Sequence, residues 1–302
     1  MSKEAKQPFD LIDRAAVSRF TGDPLIGTFP MEGSVSGHHR SNHKGSSVEF
    51  AEYREYSPGE DPRRLDWRVM ARTDRLFLKE FEAETNLRCQ FSLDCSRSMS
   101  FGETGSKFDY GKKIIATLAY LFLLQGDAVG FNLLGSRKRS ALTAKRNPVH
   151  LQTLLQLVQD AEPNQEQLLI PSLHDLAESV SMRALFVIVS DFLDEPSAIM
   201  KAIHHCRDRK HEVVLLHLFD IQELEFIFTN PTCFVDLEDG QSLLTDPSEI
   251  RKEYLFQLEK HISFLRSECL EAGSFYYKLT TNIPLSEGLD AFVSNRKSSA
   301  RR

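Results

Sequence analysis

No stretch of this chain approaches the roughly eighteen consecutive apolar residues that a membrane helix needs. The longest helical apolar run, Ile114 to Leu124, contains a Thr and a Tyr and stops at Gln125-Gly126. The amino terminus, Met-Ser-Lys-Glu-Ala-Lys-Gln-Pro, lacks the apolar core of a secretion signal. Cysteine is sparse: Cys89, Cys95, Cys206, Cys233 and Cys269 form an odd, scattered set with no C-x-x-C pair. That excludes a cysteine-only zinc site of the usual spacing and suits a reducing compartment, so a cytoplasmic location is expected. Charge of one sign is also lacking. A formal net charge of −6 over 302 residues gives no generic footprint for nucleic acid or an anionic membrane. Neither a G-x-x-x-x-G-K-[ST] phosphate loop nor a G-x-S-x-G elbow occurs, and no repeat or low-complexity tract is present.

With 41% hydrophobic and 26% charged residues, the composition is that of a globular protein, long enough for one large α/β domain with an appendage. From Leu87 onward, short apolar runs alternate with helical patterns. The predicted strands are Leu87–Leu93, Ala128–Leu134, Leu185–Val189, Val213–Phe219 and Phe275–Leu279. The third and fourth are nearly continuous apolar runs, as strands buried on both faces of a parallel sheet are. Leu87–Asp94 instead alternates Leu87, Cys89, Phe91 and Leu93 with Arg88, Gln90, Ser92 and Asp94, a pattern that suits a strand with one polar face better than a fully buried central one.

Helices are readable from their ends. Phe108, Ile115, Leu118 and Phe122 recur at helical spacing, Asn147-Pro148 and Pro196 open two further helices, and Asp246-Pro247-Ser248-Glu249 begins a long one closed by Gly273. A last helix follows Pro284, and a short one spans Leu11 to Phe20. The alternation predicts a doubly wound, mostly parallel sheet over residues 87–302, with its ligand site at the carboxyl ends of the strands. Residues 1–86 hold too few apolar residues for a second core and read as an irregular extension packed on the main domain.

The sharpest chemical signal is Phe91-Ser92-Leu93-Asp94-Cys95-Ser96-Arg97-Ser98. A strand ends in Asp94 and is followed by hydroxyls at two-residue spacing, so a turn there aims Asp94, Ser96 and Ser98 at one point. Such hard oxygen ligands suit Mg²⁺ or Mn²⁺. A later strand ends in Val189-Ser190-Asp191, which a parallel sheet carries to the same edge.

This D-x-S-x-S pattern with a distant strand-terminal Asp resembles the metal-ion-dependent adhesion site of von Willebrand factor A domains. The resemblance implies that Ser96 and Ser98 ligate the metal directly, that Asp94 and Asp191 act largely through water, and that an acidic side chain of a partner completes the site. Such domains usually add a Thr from a third loop. Here that loop, Glu162-Pro163-Asn164-Gln165-Glu166-Gln167, has none, leaving Asn164, Gln165 or Glu166 as the oxygen source.

A second resemblance covers nearly the whole chain. Gly37-His38-His39-Arg40-Ser41, Lys44 to Tyr56, Pro58-Gly59-Glu60-Asp61-Pro62-Arg63-Arg64-Leu65-Asp66-Trp67-Arg68, Ala71-Arg72-Thr73 and the closing Leu289-Asp290-Ala291-Phe292…Arg296 are similar to the bacterial domain-of-unknown-function 58 family. Members are typically encoded beside MoxR-type AAA+ ATPases. The resemblance implies a non-enzymatic partner or adaptor of such an ATPase in chaperone-like assembly or activation.

The run Tyr53–Arg75 surrounds the only tryptophan with interleaved charges. Arg63, Arg64, Asp66, Trp67, Arg68 and Arg72 read either as an internal charge network or as a docking surface for a protein partner. A nucleic-acid or anion site in the Arg63–Arg75 cluster is a weaker reading, because residues 33–79 carry nine Lys/Arg against seven Asp/Glu. A metal-dependent phosphatase-like hydrolase built on Asp94 is another, but the expected second acid two positions later is Ser96. His38, His39 and His43 read as a solvated loop and His204 and His205 as surface residues.

Overall fold

The computed structural model describes residues 7–23, 25, 49–55, 69–70, 72, 76–82, 87–102, 105–136, 140–164, 168–235, 237 and 240–299. The core is a six-stranded sheet formed by β3 (Arg88–Asp94), β4 (Ala128–Leu134), β5 (Ala141–Lys145), β6 (Leu185–Ser190), β7 (Glu212–Phe219) and β10 (Phe275–Thr280). Its spatial order is β10-β7-β6-β3-β4-β5. All pairings are parallel except that of β5, which runs antiparallel at one edge. A doubly wound parallel sheet with an antiparallel third strand is the von Willebrand factor A-like arrangement. The chain winds outward from β3 to β5 and then returns to lay β6 on the other flank of β3. The strand order therefore reverses between β3 and β6, and that switch point is where such sheets open a crevice for ligands.

Two apolar layers sandwich the sheet. One is built by α1 (Arg14–Phe20), α2 (Lys107–Leu124), α3 (Pro148–Asp160) and the carboxyl-terminal α8 (Leu285–Gly288) and α9 (Asp290–Ser299). The other comprises α4 (Leu169–Ser179), α5 (Pro196–Asp208) and α7 (Pro247–Glu271). Side chains along β6 and β7 alternate between them: Leu185, Val187 and Val189 face the first layer, and Phe186 and Ile188 the second. The caps match the sequence signals. Ser106 Oγ accepts from Asp109 N–H, Asn147 caps α3 ahead of Pro148, and Asp246 caps α7 ahead of Pro247. Gly273 ends α7 in the left-handed region at φ 63°.

The expectation of a half-polar strand at Leu87–Asp94 is corrected. β3 is central, paired with β4 and β6, and buried over every residue after Arg88. Its polar positions all fall on one face, but that face lies inside the protein. There Gln90 Nε2 donates to the Leu142 carbonyl of the edge strand at 3.0 Å, so the polar side chain is accommodated by hydrogen bonding and not by solvent.

Five strands fall outside the set predicted from the sequence. β5 is one; β1 (Glu49–Glu55) and β2 (Phe77–Glu82) pair antiparallel, as do β8 (Thr232–Val235) and β9 (Ser242–Thr245). The amino-terminal segment reaches the first apolar layer: Asp13 N–H donates to Thr117 Oγ1 and Leu25 N–H to Gln125 Oε1, both at 2.9 Å, while Ala16, Phe20 and Leu25 are buried. At the other terminus, Arg296 is buried against Glu212 of β7 at 2.6 Å, with its guanidinium over the rings of Phe275 and Phe292. No helix among the described residues is long and apolar enough to cross a membrane.

Candidate functional site: an acidic cleft at the sheet switch point

β3 delivers Asp94 to the carboxyl edge, and β6, its neighbour, delivers Asp191 one residue beyond its end. A 3-10 turn at Arg97–Ser100 folds the following chain back, bringing Ser96 and Ser98 together with their hydroxyl oxygens 3.0 Å apart. Asp94, Ser96, Ser98 and Asp191 all line one cleft of about 380 Å³, so the four residues singled out from the sequence converge.

Each is held from behind. Asp94 Oδ1 accepts from its own turn, Ser96 N–H, at 2.9 Å, and Oδ2 accepts from the Ser190 hydroxyl at 2.5 Å. Ser190 Oγ in turn accepts from Phe192 N–H at 2.9 Å. Phe192 sits at φ 45°, a left-handed conformation costly for a bulky residue, and it is fully buried. His217 and His261 brace this turn. His217 Nε2 donates to the Asp191 carbonyl at 2.8 Å, and His261 Nε2 donates to the Phe192 carbonyl at 2.9 Å. Burial holds His217 well below the usual histidine range, so the ring is neutral and its Nδ1 accepts from the Tyr276 hydroxyl at 2.7 Å.

The cleft is more acidic than the sequence motif announced. Asp194 and Glu223 also line it, with Phe101, Leu169, Leu193, Val235 and Leu237 as apolar walls. Val235 and Leu237 come from β8 and the connection that follows it, so this hairpin stands over one side of the opening. Burial, with the Asp191 charge added, pushes the Asp94 carboxyl up to about 7. The same two causes raise Asp194, and burial raises Glu223 although Lys107 opposes it.

Lys107, the first residue of α2, was not foreseen. Its side chain is 1% exposed, and its ammonium lies 2.7 Å from Asp191 Oδ2 and 2.6 Å from Glu223 Oε1. Burial works against its charge, but the two carboxylates outweigh that and push its pKa up, so Lys107 stays an ammonium. Glu223 is fixed on its other oxygen by Asp220 N–H at 2.7 Å, as part of the capping box that opens α6 (Ile221–Glu225). Sequence could not have paired these groups, which stand 84 and 116 positions apart.

Among the described residues no group of three or more His, Cys, Asp or Glu side chains could hold a metal, so any ion here depends on the serine hydroxyls. The donor set fits a hard cation. Magnesium–oxygen bonds of about 2.0–2.1 Å in octahedral geometry place adjacent ligands about 2.9 Å apart, and the Ser96 and Ser98 hydroxyls, hydrogen-bonded to each other at 3.0 Å, stand close to that spacing. Of the three candidates for the third-loop oxygen, Asn164 binds back to Cys95: its N–H donates to the Cys95 carbonyl at 2.7 Å and its Nδ2 lies 3.0 Å from Sγ. Gln165 and Glu166 lie outside the described residues.

The arginine-rich run gives less. Arg63, Arg64, Asp66, Trp67 and Arg68 lie outside the described residues, as do His38, His39 and His43, whereas Arg72 is helical and exposed. His204 is exposed, but His205 is only partly so: its Nδ1 meets His174 Nδ1 at 2.9 Å and its Nε2 meets Glu178 at 2.8 Å.

A family model described as "Protein of unknown function DUF58" matches residues 52–263 of this chain. Uncharacterized proteins of Mycobacterium tuberculosis and Mycobacterium bovis are 25% identical to it over 276 residues, covering 89% of this chain and 86% of theirs. Among solved structures, the conserved hypothetical protein BatB from Bacteroides thetaiotaomicron aligns at 12% identity with a TM-score of 0.49, covering 72% of this chain and all of that one. An aerotolerance-related membrane protein from Bacteroides fragilis aligns at 13% identity with a TM-score of 0.48, over 70% of this chain and 99% of its own.

Proposed function

The chain belongs to the DUF58 family of proteins of unknown function, and on that premise we propose that it is a non-enzymatic protein-interaction module whose switch-point cleft receives an acidic side chain of a protein partner. The observation that carries this reading is the convergence of Asp94, Ser96, Ser98 and Asp191 on one cleft, with the two hydroxyls at the spacing of adjacent ligands of a hard cation. Mg²⁺ or Mn²⁺ held there supplies the electrophile that a partner carboxylate completes. The residues of this chain do the rest. Ser96 and Ser98 present neutral oxygens, Asp94 is anchored by Ser96 N–H and Ser190, and the His217–Asp191 and His261–Phe192 contacts fix the second acid. Apolar walls at Leu193, Val235 and Leu237 suit a partner segment that places hydrophobic residues beside its acid.

The family resemblance, which implies a MoxR-type AAA+ ATPase encoded alongside, makes such an ATPase the proposed partner. The cytoplasm is the proposed compartment, in keeping with five free thiols, four of them buried. A pull-down of a MoxR-type AAA+ ATPase from the same organism with the full chain tests the proposal. Capture is expected in Mg²⁺ and is lost with EDTA or in Asp94→Ala. Failure to capture under every condition overturns it.

A further inference from the structure

Lys107 belongs to no adhesion-site motif, yet it lies buried behind the cleft wall, paired with two carboxylates that line the cleft. It is the first residue of α2, where the helix dipole and the unpaired N–H groups disfavour a positive charge. Its ammonium is nevertheless sealed from solvent, and it draws together Asp191, from the end of β6, and Glu223, from the helix after β7. Three elements that the chain delivers separately are thereby tied at one atom. The carboxylate nearest the serines, Asp94, takes no part in this pairing; its oxygens are spoken for by Ser96 N–H and Ser190.

The cleft thus divides into two halves of different character. One half, Asp191–Lys107–Glu223, is already paired, so it is assembled before any ion arrives. The other, Asp94–Ser96–Ser98, carries a carboxylate held by Ser96 N–H and the Ser190 hydroxyl. A divalent ion entering this second half meets the field of the buried ammonium that holds Asp191.

We propose that Lys107 is a built-in counter-cation that sets the divalent-ion affinity of the cleft, holding its acidic wall in place while opposing tight metal capture. This deepens the reading of the cleft as a cation-dependent interaction site and rests on it. The consequence is an ion bound weakly through neutral oxygens and therefore available to a partner carboxylate.

Mn²⁺ titration of the full chain by calorimetry tests this, with Lys107→Gln, Lys107→Arg and Lys107→Gln/Glu223→Gln as variants. The double variant keeps the net charge of the wall while removing the ammonium, and it guards against a single variant that fails to fold. Lys107→Gln and the double variant are expected to bind Mn²⁺ about tenfold or more tightly than the unaltered protein. Lys107→Arg is expected to stay within about threefold of it. Folded variants lacking the ammonium that bind Mn²⁺ no more tightly overturn the role of Lys107 while leaving the metal site standing. Absence of binding by every protein, the unaltered chain included, overturns the cation site itself and this inference with it.

Discussion

At Asp94 two demands oppose each other. The proposed cation site needs a carboxylate at the switch point, yet that position is 1% exposed and faces Asp191, so ionisation is penalised. A carboxyl at about 7 in the folded protein, against an ordinary 3.8, binds a proton that the unfolded chain has already released. Its contribution to stability is therefore full below the ordinary carboxylate value and is lost as pH rises through about 7. In EDTA, Asp94→Asn removes this loss, because an amide carries no charge: its oxygen still accepts from Ser96 N–H, and its Nδ2 donates to Ser190 Oγ in place of accepting from it. Urea unfolding is expected to show the variant gaining about 1–3 kcal/mol on the unaltered protein between pH 5 and pH 8. A difference that stays flat with pH contradicts the assignment. Asp94, Ser96, Ser98 and Asp191 were legible in the sequence because spacing along a strand end and turn carries their convergence. Lys107, Glu223 and Asp194 were not, since only tertiary packing brings them there, and a lysine opening a helix reads as a solvated residue until its partners are known.

At the scale of elements, the site depends on how closely α2 lies on β3 and β6. Gly111 permits that approach: a Cβ there would stand 2.8 Å from Leu93 Cδ1 and 3.3 Å from Val189 Cγ1. Both neighbours are fully buried, so neither can swing aside. Alanine improves helix propensity by about 1 kcal/mol, but overpacking a closed core costs about 1–3 kcal/mol. Gly111→Ala is therefore expected to lower the thermal midpoint. A variant as stable as the parent would show that the helix can lift without penalty. The central strands were readable because continuous apolar runs such as Leu185–Val189 have no other comfortable place. β5 and the β8–β9 hairpin were not, being four or five residues long, at an edge or outside the main sheet, and partly exposed. α4 escaped for a related reason: Pro171 lies in its first turn, and no side chain caps its start.

Across the whole molecule, the winding order of the chain creates the edge that carries the cleft. β3 and β6 are neighbours although 96 positions separate Cys89 from its partner Leu185 by way of β4, β5 and three helices, and only that return brings Asp191 beside Asp94. The carboxyl terminus closes the same layer that α2 builds, through Arg296 buried on Glu212. This gives the terminal Phe292…Arg296 pattern a structural role: a buried pair whose loss on one side leaves an uncompensated charge. The amino-terminal residues around Phe20 and Leu25 pack on that layer too, so the edge that carries the cleft belongs to a body that includes both ends of the described chain. The central claim is that this edge holds a divalent cation for a partner. The most direct measurement is calorimetric titration of the full chain with Mg²⁺ and with Mn²⁺ at pH 8, where Asp94 is ionised, alongside Asp94→Ala. The account predicts saturable binding of one ion by the unaltered protein and none by the variant; equal heats from the two proteins, or no binding by either, would contradict it.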